Sequence, residues 1–272
     1  MSGLSRPELP AGRYGLRGVI QMEWIRLRSV RSTWWITAVV VVAMIGVAIL
    51  VLHHYAADWA RLSAGDRASF DPTNRASYPG LLVAQLAAAV LGILAVTGEY
   101  SSGMIQSTLV AVPRRGLVLA AKATIIGLFV LVIGQVAAFA AFLAGQSVLH
   151  SPAPHAALGQ PGVLRAVLMA GAYLPLMALF SLGIGALVRH AATAISVVVG
   201  LIFLLPLVVA ALAGGAQHSV QRFLPEVIAA SSITAVKTEP FSLSPWAGLT
   251  MLSLYAVAAL GAAGVMVSRR DA

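Results

Sequence analysis

Few residues of this chain combine a reactive type with a productive spacing. His53, His54 and Asp58 lie close together, and imidazole with carboxylate is a donor set that suits zinc. Nothing else stands at ligand spacing, so no metal is expected. Only two lysines occur, Lys122 and Lys237. Neither closes a G-x-x-x-x-G-K-[ST] loop, whose backbone amides could cradle nucleotide phosphates. H-E-x-x-H and G-x-S-x-G are absent too, which removes those zinc-protease and α/β-hydrolase designs. The sequence supplies no catalytic residue. Gln85, Gln135 and scattered Ser, Thr and Tyr are the polar groups of its apolar stretches. Gln135 either lines a pathway or makes an interhelical hydrogen bond, and such polar glue is the commoner use.

The remaining candidate is GEYSSGMIQSTLVAVPRRG, residues 98–116, set between two apolar runs. Read as a helix over 101–112, it gathers Met104, Ile105, Thr108, Leu109 and Val112 within about 140° of arc, with Gln106 and Ser107 opposite. Glu99 stands at its start, where a helix N-terminus favours negative charge. Pro113 ends it, and Arg114 and Arg115 follow at headgroup level. Such a helix either receives a soluble partner or lies on lipid. Periodicity does not choose.

Membrane spans must position these residues. Of 272 residues 59% are apolar and 10% charged, and the mean hydropathy is +0.89. Soluble domains carry about 25% charged residues, so this is a polytopic membrane protein. Cysteine is absent, which excludes disulfides and thiolate metal sites. The net charge of +9 is scattered among greasy segments, pointing to anionic lipid headgroups and not to nucleic acid.

Six runs are long enough to cross a bilayer as helix: 34–52, 80–97, 120–146, 164–187, 192–213 and 247–267. They do not alternate as β-barrel strands would. Pro175 and Pro206 are tolerable there, because neighbouring helices can satisfy the freed backbone groups. The first run follows a long polar and basic stretch, so it reads as a retained span and not as a cleaved signal. Mid-membrane Asp, Glu, Lys and Arg are not expected. With six spans, both termini share a side with the 98–119 and 188–191 loops. That side holds twelve of the 18 Lys and Arg residues, which makes it cytoplasmic. The expected organisation is a cytoplasmic N-terminus with an amphipathic helix (1–33), a six-span domain (34–267) and a cytoplasmic tail (268–272).

Before the first span, over 15–35, Leu16, Val19, Ile20, Leu27 and Val30 share one helical face. Arg17, Arg26, Arg28 and Arg31 fall largely off it. Glu23 interrupts the greasy face and can pair with Arg26 one turn on. The stretch reads as a helix lying on the inner leaflet, the alternative being a simple basic topology anchor. On the opposite side, 220–236 is apolar enough for a short helix dipping into the outer interface.

Three stretches, in order, resemble the permeases of ABC-2 type transporters, and together they span essentially the whole chain. G-E-Y-S-S-G-M-I-Q-S-T-L-V-A-V-P-R-R-G-L-V-L-A-A-K resembles the segment after their second span. The matching positions are Glu99, Tyr100, Gly103, Ile105, Thr108, Leu109, Arg115 and Lys122, while Met104 stands where Thr is usual. E-W-I-R-L-R-S-V-R-S-T-W-W resembles the elbow helix of actinobacterial members, and L-S-P-W-A-G-L with S-R-R-D-A resembles their last span and tail. The resemblance implies the membrane subunit of an ATP-driven exporter. It works as a pair, with a second copy or a related permease, and with two ATP-binding subunits that use ATP and Mg; this chain binds no cofactor. It also implies that Glu99, Tyr100, Gly103, Met104, Ile105, Thr108, Leu109, Val112 and Arg115 form the coupling helix that receives the ATP-binding subunit. Glu23, Trp24, Arg28 and Arg31 would belong to the elbow helix. No importer-type E-A-A-x-x-x-G loop is visible. A gradient-driven secondary transporter and a non-transporting scaffold or sensor subunit are the alternatives; the lack of buried charge counts against the former.

Overall fold

The computed structural model describes residues 16–101, 103, 115–211, 220–235 and 243–270. Their regular structure is entirely helical. In chain order it comprises α1 (Leu16–Ser29), α2 (Arg31–Asp58), a 3-10 turn (Trp59–Arg61), α3 (Ala64–Ala68), α4 (Pro72–Ser101) and α5 (Arg115–Val148). Then follow α6 (Val163–Val188), α7 (Ala191–Ala211), α8 (Pro225–Ser232) and α9 (Pro245–Arg270). α2, α4, α5, α6, α7 and α9 are the six helices long and apolar enough to cross a membrane. The all-α, six-span architecture read from the sequence is therefore the observed one.

The helices outrun the apolar stretches that announce them. The second span begins at Pro72 and not at 80, because hydropathy marks only the hydrocarbon-embedded part. Asp71 starts it: its Oδ1 accepts from the N–H groups of Thr73 and Asn74 at 2.8 and 3.1 Å. That satisfies amides the first helical turn leaves open, and Pro72 is pre-set for the first helical position. The other oxygen of Asp71 accepts from the Ala235 N–H at 2.8 Å, tying α4 to the segment after α8. The third span likewise starts early, at Arg115, so Lys122 lies about two turns into the helix and not at its first turn.

α6 is the most enclosed span, packed against α4, α5 and α9, while α2 packs on α4 and α5. In lipid no hydrophobic force separates helix faces from solvent, so close backbone approach carries the association. The α4–α6 crossing needs Gly92: a methyl there would lie 2.1 Å from the Ala178 carbonyl oxygen. At the α5–α6 crossing a methyl on Gly134 would lie 2.6 Å from the Gly171 oxygen. In α7 a π-helical turn, Gly200–Leu204, precedes Pro206, which lacks the N–H that a regular helix would donate.

The apolar 220–236 segment holds α8, which packs on α9, α6 and α4. Buried Tyr173 of α6 reaches it: its hydroxyl lies 2.7 Å from Gln85 Oε1 and 3.3 Å from the Pro225 carbonyl. Tyr78 donates to Glu226 Oε1 at 3.2 Å. These bonds seat the short helix on the bundle.

Candidate functional site

At the opposite end of the bundle α1, α4 and α5 converge. Val30, with φ −84° and ψ 119°, breaks the helix between α1 and α2, so α1 can lie across the spans instead of extending one. Val19, Glu23 and Leu27 are buried; at i, i+4 and i+8 they share one helical face. Val19 packs on Val118 and Ala121 of α5. Met22, Trp24 and Ile25 are left exposed, a second apolar stripe of the kind that lies in lipid. Val30 is exposed as well and, standing outside the helix, does not join the expected face.

Glu23 does not pair with Arg26. Its Oε2 accepts from Lys122 Nζ at 2.6 Å, and Lys122 also donates to Glu99 at 2.5 Å. Arg26 instead donates to Glu99. The reason is burial: Lys122 is 4% exposed, Glu23 4% and Glu99 1%. A buried ammonium demands carboxylates more strongly than does an arginine whose side chain is 25% exposed. Three helices are thus joined through four charges.

Glu99, expected at a helix N-terminus, lies instead in the last turn of α4. There the helix dipole disfavours an anion, so Lys122 and Arg26 must supply the compensation. Gly103 lies just beyond that end. Its φ of +69° suits a residue without Cβ, and its N–H bonds the Tyr100 carbonyl at 3.3 Å. Tyr100 carries the Arg189 guanidinium over its ring, 5.2 Å from the centroid, which adds the α6–α7 connection to this end of the molecule.

The other expected positions divide. Met104, Ile105, Thr108, Leu109 and Val112 lie outside the described residues, and Arg115 is the first residue of α5. Trp24 meets Phe129 edge-on at 6.3 Å. Arg28 and Arg31 are exposed, and the Arg28 carbonyl accepts from Trp34 Nε1 at 3.1 Å. Gln135 donates to the Leu168 carbonyl of α6 at 2.9 Å. His54 pairs with Asp58 at 3.4 Å at the exposed far end of α2. Lys122 is the residue that site reasoning passed over; its signal was a lysine placed where the span should be apolar.

Six helices long and apolar enough to cross a membrane define a multi-pass membrane protein. The family model for ABC-2 family transporter protein matches residues 19–207, and the chain belongs to that family. It is a permease component of an ABC transporter, a type of machine that works with an ATP-binding partner. A comparison with curated proteins gives no match.

Proposed function

We propose that this chain is the membrane subunit of an ATP-driven exporter in the bacterial cell membrane, with residues 98–119 and both termini in the cytoplasm. Two such subunits, this one and a second copy or a related permease, work with two ATP-binding subunits. Those subunits use the ATP and Mg, and the cargo moves outward and is drug-, peptide- or lipid-like. Residues 99–115 form the coupling element that receives the ATP-binding subunit, and α1 is the elbow.

The observation that supports this reading is the Glu23–Lys122–Glu99–Arg26 cluster. Glu99 sits just before residues 102–114 and Lys122 just after them. A push on that segment therefore bears on α4 and α5 together, and through Glu23 and Arg26 on α1. A gradient-driven carrier would want ionisable groups along a route through the bundle, whereas among the described residues the buried Asp71, Glu99 and Lys122 lie toward the ends of their spans and Glu23 lies on α1, outside the spans.

The test is copurification. Helix-in-groove recognition reads apolar anchors at i, i+3, i+4 and i+7 spacing. Leu109→Asp would put an unpaired carboxylate in a desolvated cleft, at a cost of several kcal/mol by order of magnitude. The ATP-binding subunit is expected to be lost on purification while the permease stays in the membrane at normal abundance. Gln106→Asp, on the opposite face, is expected to retain it. Full retention with Leu109→Asp defeats the coupling assignment.

A further inference from the structure

Beside the ion cluster lies a cavity of about 430 Å³ enclosed by α1, the start of α2, α4 and α5. Its walls differ. Leu94, Ala95 and Ile125 line it with hydrocarbon, and Glu23 lines it beside Lys122. Ser29 and Ser32, both exposed, mark its open rim. Volumes of this order hold small-molecule ligands.

The charge at the polar end is complete. Glu23 and Glu99 face Lys122 and Arg26, two carboxylates against two cations, and all four are paired. A further ion of either sign would join a neutral, largely buried set and lose hydration without gaining a counter-charge. What is incomplete is a hydrogen bond. Glu23 is 4% exposed; its Oε2 accepts from Lys122, whereas its buried Oε1 accepts from no donor. A buried carboxylate oxygen in that state is costly, and it belongs to a side chain that lines the cavity. The chemistry that fits is an uncharged donor on a hydrocarbon tail, and an O–H is the compact donor for a carboxylate oxygen.

We propose that this cavity binds an uncharged membrane amphiphile with a hydroxyl head. The hydroxyl donates to Glu23 Oε1, the chain runs along Leu94, Ala95 and Ile125, and the neutrality of the ion cluster is kept. Monoacylglycerols and long-chain alcohols share this chemistry. A long-chain amine would add a buried cation, and a fatty acid would set its carboxylate against that of Glu23. An alkyl methyl ether has the chain and the oxygen but no proton to give. The assignment is independent of the proposed coupling to an ATP-binding subunit and stands whether or not Leu109→Asp releases one.

The experiment is native mass spectrometry of the full-length, detergent-purified chain, titrated with monoolein, oleyl alcohol, oleyl methyl ether, oleylamine or oleic acid. One molecule of monoolein or oleyl alcohol is expected to be retained roughly tenfold or more better than the ether, the amine or the acid, the scale of one hydrogen bond to a charged group. Retention of monoolein alone assigns the head to a glyceride, and retention of oleyl alcohol alone assigns it to a free alcohol. Ala95→Trp fills the apolar wall without touching the ion cluster and is expected to abolish retention. Leu94→Trp is a second variant of the same kind, and the ligand series on the wild-type chain needs neither. If the ether, the amine or the acid is retained as well as the alcohol, the proposal is overturned. Failure to retain either hydroxyl compound overturns it too, leaving Glu23 Oε1 to water alone. So does retention unchanged in a folded Ala95→Trp or Leu94→Trp chain.

Discussion

Lys122 holds two carboxylates that lie 99 and 23 positions before it in the chain. Replacing such an ion group with apolar residues can be nearly neutral, but removing one member strands the others in a low-dielectric interior. Lys122→Met therefore leaves Glu23 buried without its cation, and leaves Glu99 with Arg26. The expected cost is about 3–5 kcal/mol, read as a large fall in the melting temperature of the purified permease. Adding Glu23→Gln to Lys122→Met is expected to recover part of that loss; a double variant no more stable than the single one would show that the cluster is not held together by charge. Helical periodicity singled out both glutamates but could only offer neighbours within a turn, and so it offered Arg26 to Glu23. The true partner comes from another helix. Local spacing carries no information about that distance, although a lysine inside an apolar run already signals a buried counter-ion.

Among the helices, the crossings rest on glycine. Gly92 of α4 meets the Ala178 backbone of α6, where a methyl would lie 2.1 Å from the oxygen. Gly92→Ala must force the helices apart, and overpacking of this kind costs about 1–3 kcal/mol. A lowered melting temperature is expected, whereas Gly46→Ala, which meets nothing within 4 Å, is expected to leave it unchanged. Equal effects would refute the close-contact account. The six spans were readable because each is a long apolar run. Their ends were not, since a helix continues into the interface wherever its amides find acceptors, as Asp71 provides for α4. The short α8 was readable from its apolar content, but not its attachment through Tyr173 and Gln85, which depends on the packing of α4 against α6.

For the molecule as a whole, the twelve-to-six division of Lys and Arg predicts which end faces the cytoplasm. The chain has no cysteine, so single cysteines report without background. In intact cells a cysteine at Ser69, exposed beyond α3, is expected to react with an impermeant maleimide, and one at Ser102 only after permeabilisation. The reverse pattern would invert the proposed orientation. The same ion cluster that joins α1, α4 and α5 also sets a timetable for biogenesis. Glu23 and Glu99 are both synthesised before Lys122, so neither can meet its lysine until the third span leaves the ribosome. Until then Arg26 alone, through Glu99, can tie α1 to the spans, and buried Glu23 waits without its cation. The N-terminal helix is therefore fully secured only when the first three spans are assembled, and Lys122 acts as the latch that closes that stage of membrane insertion.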